Sequence, residues 1–413
     1  SLYYKNRDLA TLSNKKEGDL MKKITFCGNM IVDANKLMDI YPSLGMLSKI
    51  RTESYSVGGS ACNTSIDLKA IDNEIAVSVI GRIGNDDKGK FILKEYKKFH
   101  IDTSKVIIDT EHATSYTDCM VDAQGRRTFF QYGGANDYFN LEDIHIESLD
   151  CDILHIGYLL LLPQFDEKND KYGTNLAEFL CKVRKKGIKT SIDVVSEEGN
   201  RFQEVVIPSL KYCDYVVINE IESGRITGIE PRDHFGNLIK ENLIQIIEKL
   251  FKLGVQDTII IHSPEMGIIK RKENNIKIIP SFVVDKSRIV SSVGAGDAFL
   301  AGALYGLLNN LTDEDSALNL LSLSKTQFVS VVGKSSVTQA EKVLQVSAQD
   351  NLKMIYDSIR FLCDRNKTVF FDAEHFFDGY KENPDYALDT LRTAKNAGAK
   401  LLVLCDTNGA SLP

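Results

Sequence analysis

The residues best equipped for chemistry lie late in the chain, in Ser291-Ser292-Val293-Gly294-Ala295-Gly296-Asp297-Ala298-Phe299, followed by Ala301-Gly302-Ala303. Gly294, Ala295 and Gly296 let backbone amides come close to an anion, and the helix predicted to open there turns its positive end toward negative charge. Asp297 stands at the mouth of this turn, where a carboxylate can take a proton. An anion cradle beside a base is the equipment for moving a phosphoryl group onto a hydroxyl. The same turn holds the first two glycines of a dinucleotide fingerprint, but Phe299 fills the third slot and no acidic residue waits at the right distance. A Walker A loop, H-E-x-x-H and G-x-S-x-G are all absent, so a kinase built on this turn is not a P-loop enzyme.

Three earlier segments can build the rest of a site at the carboxyl ends of strands, where open α/β sheets collect ligands. Gly28-Asn29-Met30-Ile31-Val32-Asp33 leaves a predicted first strand, and Asp33 can accept hydrogen bonds from paired sugar hydroxyls or serve as a turn or helix cap. Gly58-Gly59-Ser60-Ala61-Cys62-Asn63 opens a helix; the glycines admit a ligand against bare backbone and Asn63 offers donor and acceptor, although a plain tight turn has the same spelling. Asn219 and Glu222 are three apart at a helix start and share a face. They can hold a hydrated Mg²⁺ beside phosphates or simply cap the helix. Gly81-Arg82-Ile83-Gly84-Asn85-Asp86 repeats the strand-turn-helix pattern and reads as structure.

The elements that must position these residues follow an α/β rhythm. Strands are expected at 23–28, 75–80, 152–156, 189–193, 214–218 and 257–262. Helices are expected near 60–72, 86–98, 174–186, 238–253, 297–309 and 313–331. Residues 50–57 and 114–133 instead alternate apolar and polar side chains around turns, which predicts a small antiparallel sheet able to cover a site. The chain has 413 residues, 43% apolar content, 26% charge and a net charge of -7, a soluble globular composition whose sign argues against nucleic acid. Eight scattered cysteines form no C-x-x-C pair, which fits a reducing cytosol and suggests neither zinc nor disulfides. The most apolar run, Ile153 to Pro163, is about half the roughly 20 residues of a membrane span.

Together these residues resemble the ribokinase-like carbohydrate kinases of the PfkB family, over roughly residues 22–346. The late motif is similar to the family's second signature, Gly58-Gly59 with Asn63 to its first, and Asn219 with Glu222 to its N-x-x-E. The resemblance implies a mostly parallel central sheet flanked by helices, with an antiparallel lid from about 44–57 and 113–136, including Phe129 to Asn136. It implies an ATP-dependent kinase with Mg²⁺, acting on a small sugar or nucleoside, with a monovalent cation as a further ligand; apart from the resemblance, an exposed edge of the lid sheet can pair in a homodimer. Asp297 would be the base, and Gly294, Ala295 and Gly296 the anion hole. Asp33, Gly58, Gly59 and Asn63 would hold the sugar, and Asn219 and Glu222 would order Mg²⁺ and water. Departures from the pattern are Ser291 in place of an acidic residue, Pro264 in place of a glycine, and Asp193-Val194-Val195-Ser196-Glu197 without Asp-x-Asn.

Residues 1–20 read as a polar extension, and the fold is expected to begin at Met21. A junction is expected at 333–350, with the kinase domain at 21–346 and a separate segment at 347–413. There Phe370-Phe371-Asp372-Ala373-Glu374-His375, with Leu404-Cys405-Asp406-Thr407-Asn408-Gly409, resembles citramalate and isopropylmalate synthases, which are TIM barrels. About a quarter of a roughly 250-residue barrel is present, too little to close. Two other functions remain open at this point: a sugar-binding regulator of the same fold that has lost transfer, and an acyl-CoA condensing fragment.

Overall fold

The computed structural model describes residues 21–281 apart from 123, 197, 198 and 200, then 294–311, and then 328–407 apart from 345 and 366. By internal contacts the chain divides into two units, one spanning Met21–Leu311 and one holding the residues described beyond Leu311. In chain order the first unit contains β1 (Lys23–Gly28), β2 (Ile31–Met38), β3 (Ile50–Gly58), β4 (Ala76–Gly84), β5 (Asp102–Asp109), β6 (Tyr116–Val121), β7 (Arg127–Tyr132) and β8 (Ile153–Leu159). A short ribbon of β9 (Lys168–Asn169) and β10 (Gly173–Thr174) follows. Then come β11 (Lys189–Val194), β12 (Tyr215–Asn219), β13 (Thr258–His262), β14 (Met266–Arg271) and β15 (Lys277–Pro280).

Nine strands make one sheet in the order β15-β14-β13-β12-β11-β8-β1-β4-β5. It is parallel except where β13, β14 and β15 meet. The central strands are covered on both faces, which is why they read as apolar runs rather than alternations: Ile24, Phe26, Leu154, Ile156, Ile259 and Ile261 are all buried. One core layer packs under the helices Ser60–Ile71, Asp87–Lys98 and Ala295–Leu308, and the other under Asn175–Lys185, Phe202–Leu210 and Lys240–Lys252. In Lys240–Lys252 the buried residues Leu243, Ile246, Ile247 and Leu250 keep the i, i+3, i+4, i+7 spacing that aims one stripe inward. Arg82 ties the far edge, bonding Asp109 at 2.7 Å and Asp143 at 3.1 Å, and Asp86 caps the next helix through the Gly89 amide, so that segment is structural.

The expected lid is a separate four-stranded sheet, β3-β2-β6-β7. Two of its pairings are antiparallel, but β2 and β6 run parallel. Ile31–Met38 belongs to this sheet, so Asp33 stands on a lid strand, opposite Ser56, rather than in a loop leaving β1.

The second unit is a parallel sheet of β16 (Phe328–Lys334), β17 (Thr368–Glu374) and β18 (Leu401–Leu404). β16 pairs residue for residue with β17, so the boundary expected at 346 falls inside this unit, and the end of the helix expected near 313–331 is strand. The difference has a physical cause. Ser336 and Ser347 are N-caps of the helices Val337–Lys342 and Ala348–Cys363, and capping serines have the same spelling as a polar linker. The remaining residues of 313–327, and residues 1–20, lie outside the described chain.

Gly28 ends β1 opposite Gly157, with φ at +149° and with no room for a side chain: an added Cβ would stand 1.6 Å from the Gly157 carbonyl oxygen. Gly28→Ala is expected to lower unfolding stability by roughly 2 kcal/mol or more, read from the urea midpoint. An unchanged midpoint would contradict the packing described for β1 and β8.

Candidate active site

Asp297 is the third residue of the helix Ala295–Leu308, and the residue is 6% exposed. The helix starts at Gly294, whose φ of 78° is left-handed and favours glycine. Among the described residues the turn is uncrowded. A Cβ at Gly294 would meet nothing within 4 Å, and one at Gly296 would meet only a His262 ring carbon, at 4.0 Å. The first amides of a helix have no intrahelical partner, so this turn presents donors at the positive end of the dipole.

Two donors from distant parts of the chain hold the Asp297 carboxylate. Asn63 Nδ2 reaches Oδ2 at 2.8 Å and the Tyr158 hydroxyl reaches Oδ1 at 2.6 Å. Burial pushes the carboxyl up to about 6, and Asp193 and Asp67 push the same way, while the bonds from Tyr158 and Asn63 oppose them. The result is a group ionised at neutral pH yet more basic than an ordinary aspartate.

The early glycines explain how Asn63 gets there. Gly59 has φ 83°, and an added Cβ would lie 2.4 Å from the Asn29 carbonyl oxygen; one on Gly58 would lie 2.2 Å from Asp33 Oδ2. Asp33 therefore packs directly on the bare backbone that opens the Asn63 helix. Burial raises its carboxyl, with a hydrogen bond from Thr117 opposing. Asp33, Gly58, Gly59 and Asn63 are thus brought together, and Asn63 links them to Asp297.

Asn219 and Glu222 form a capping box: Asn219 Oδ1 accepts from the Glu222 amide at 2.8 Å and Glu222 Oε2 from the Asn219 amide at 2.9 Å. Ser196 joins them, donating to Glu222 Oε1 at 2.7 Å and accepting from Asn219 Nδ2 at 3.0 Å. Burial pushes Glu222 up to about 7. This box shares a cavity of about 210 Å³ with Gly294, Gly296 and Asp297, so the two motifs meet across one space. A larger cavity of about 760 Å³, bordered by Glu142, His145, Glu178 and Lys182, contains none of the expected site residues.

Tyr158, Asp193 and His262 also line the smaller cavity, and spacing alone singles out none of them. Each stands at or near the carboxyl end of a parallel strand of the main sheet, β8, β11 or β13, and that position is the signal that marks them. Burial lowers His262 to about 4, so its imidazole is neutral, and it packs against Phe299 with ring centroids 4.7 Å apart. Pro264 stands in the tight turn where the Ser263 amide bonds the Met266 carbonyl, between β13 and β14. Ser291, Ser292, Val293 and Glu197 lie outside the described residues. Among the described residues no helix is long and apolar enough to cross a membrane, and no group of three His, Cys, Asp or Glu side chains is placed to hold a metal.

Residues 21–319 match the family described as pfkB family carbohydrate kinase. The chain is 24% identical over 336 residues to the bifunctional ribokinase/ribose-5-phosphate isomerase A of Fructilactobacillus sanfranciscensis, covering 80% of this chain and 57% of that protein. It is also 48% identical over 101 residues to the (R)-citramalate synthase of a Synechocystis species, a match to 24% of this chain and 18% of that protein. The chain thus spans less than a fifth of that synthase. Among solved structures, Arabidopsis thaliana ribokinase complexed with ribose and ATP superposes with a TM-score of 0.59 at 19% identity, covering 74% of this chain and 92% of that one. At that identity the likeness establishes the fold.

A carboxyl whose folded value lies above its unfolded one binds its proton more tightly when folded, so stability falls as pH rises through that window. For Asp297 the window runs from 3.8 to about 6. Asp297→Asn, which cannot titrate, should therefore gain on the native chain by up to about 3 kcal/mol between pH 4 and pH 7. Urea midpoints across that range check this; a difference independent of pH would contradict the perturbed carboxyl.

Proposed function

Because the chain belongs to the pfkB family of carbohydrate kinases, we propose that its Met21–Leu311 unit transfers the γ-phosphoryl group of ATP to a hydroxyl of a small sugar or nucleoside. The observation that supports this most is the hydrogen bond from Asn63 to Asp297, which joins the early glycine segment to the late anion turn across one cleft. In this reading Asp33, Gly58, Gly59 and Asn63 hold the acceptor, and its hydroxyl donates to Asp297. As the acceptor oxygen bonds phosphorus, the bond to the β-phosphate oxygen breaks and the hydroxyl proton passes to Asp297. The amides of Gly294, Ala295 and Gly296 face the charge that develops. Such chemistry needs little covalent help, so positioning and fixed dipoles supply most of the acceleration.

The donor set at Asn219 and Glu222 suits a metal that keeps its waters. Both side chains already serve the helix cap and Ser196, so they fit holding a metal-bound water rather than forming a cage. Mg²⁺ bound there would supply neutralisation of phosphate charge. Ser291, the position on which the family's monovalent-cation contact bears, is outside the described residues. The lid sheet could cover the acceptor and exclude water, the competing nucleophile.

Lid aromatics also support self-association: Tyr55, Phe129 and Phe130 are 55%, 57% and 51% exposed. A lid-mediated homodimer predicts that the full chain sediments as a dimer and that a Phe129→Asp, Phe130→Asp chain sediments as a monomer. Unaltered sedimentation would rule out these lid aromatics as the dimer contact.

ADP release against fructose, ribose, 2-keto-3-deoxygluconate, adenosine and pseudouridine tests the central reading. One or more acceptors should raise release above the acceptor-free rate, and chelating the metal should stop it. Asp297→Asn should lose about 10²- to 10⁴-fold in turnover while still binding the acceptor. A chain that binds one of these compounds without consuming ATP would favour the regulator instead. Removing residues 320–413, which spares every family-matched position, should leave turnover in place and so separate transfer from the synthase-like unit.

A further inference from the structure

Asn29, wholly buried, braces the backbone around Tyr158. Its Oδ1 accepts from the Tyr158 amide at 2.9 Å, its Nδ2 donates to the Leu161 carbonyl at 2.8 Å, and its own amide donates to the Gly157 carbonyl at 3.2 Å. The neighbouring Gly157 is confined as well. A Cβ there would lie 1.9 Å from Asp193 Oδ1 and 2.4 Å from Ser60 Oγ, while Gly28 closes the other side. So tightly held a strand end leaves the Tyr158 ring little freedom in where it starts. It lines the cavity and delivers its hydroxyl to Asp297 Oδ1 at 2.6 Å, while Asn63 holds Oδ2.

We propose that Tyr158 is a positioning residue for the transfer: its hydroxyl fixes one oxygen of the Asp297 carboxylate, so that the lone pairs left free are turned toward the acceptor. This role rests on the reading of Asp297 as the base. A carboxylate offers about four lone-pair sites, and two fixed donors leave room for one acceptor hydroxyl while removing the freedom to swing away from it.

The groups around Asp297 favour such a neutral donor. Asp67 faces it from the helix Ser60–Ile71 and Asp193 from β11, both adding negative charge. Glu222 and His262 line the same cavity from β12's helix and from β13, and burial keeps the imidazole uncharged. An arginine or lysine in place of Tyr158 would pull the carboxyl down and weaken it as a base. A phenol holds it with less loss of basicity, and burial beside Asp297 raises the phenol well above its ordinary value, so it remains a donor throughout the working range.

Tyr158→Phe and a chain carrying 3-fluorotyrosine at position 158 test the role from opposite sides. The first deletes the donor and the second strengthens it. In full-length protein labelled with ¹³C at aspartate carboxyls, the Asp297 signal is the one missing from Asp297→Asn. Its midpoint should rise by roughly one unit in Tyr158→Phe and fall in the fluorotyrosine chain. The acid limb of kcat/KM for ADP release, measured with the fastest acceptor of the five, should move the same way, with Tyr158→Phe recovering activity at higher pH. Should Tyr158→Phe fail to fold, the fluorotyrosine chain decides alone. A midpoint that stays put, or one that moves while the acid limb does not, would overturn the role. Normal turnover by Asp297→Asn would instead remove the base, a failure of the underlying reading that the titration alone would not produce.

Discussion

A carboxylate held out of water at a helix start is the constraint around which this unit is organised. Burial disfavours the charge on Asp297, and two neutral donors offset only part of that penalty. In the proposed transfer that penalty is the usual trade of stability for activity. Its donors come from the helix after β3 and from the end of β8, so Asp297 is correctly dressed only when those elements are in place.

Sheet topology supplies that coincidence. β8, β11, β12 and β13 run parallel, so Tyr158, Asp193, Asn219 and His262 emerge at the same edge. The site is polar along that edge because strand ends are where backbone and side chains leave the apolar layers. Close approach of Gly28 to Gly157 at the centre sets how far apart the ends of β1 and β8 lie. The lid sheet contributes Asp33 by the same economy: one carboxylate packs against Gly58, so the proposed acceptor pocket and the lid sheet share a seam.

Much of this was legible in the sequence wherever local physics decides. The helices Asp87–Lys98, Asn175–Lys185 and Lys240–Lys252 announce themselves by apolar period, the central strands by continuous apolar runs, and the Gly294 turn by glycines that only a close approach or a left-handed residue requires. Asn219 and Glu222 show both of their readings at once, since a capping box can face a cavity. Other features depend on tertiary placement. Tyr158 lies inside the apolar run from Ile153 to Pro163, and nothing in its spacing says that its hydroxyl meets a residue 139 positions away. β5, β14 and β15 lie at or near the sheet edges, where half-exposed residues blur the apolar pattern. The boundary of the second unit was hidden because capping serines and a strand-ending Gly333-Lys334 imitate a linker.

The second unit is a three-stranded parallel piece with its own core, centred on Ile359, Val369 and Phe371, and the kinase reading asks nothing of it. The proposed transfer turns on two residues, and a double-mutant cycle addresses them directly: Asn63→Ala, Asp297→Asn and the pair together, compared in acceptor-dependent kcat. If Asn63 acts by holding the Asp297 carboxylate, the double variant should be no slower than Asp297→Asn alone, a strongly non-additive cycle. Losses that simply multiply would show two independent residues and contradict the account.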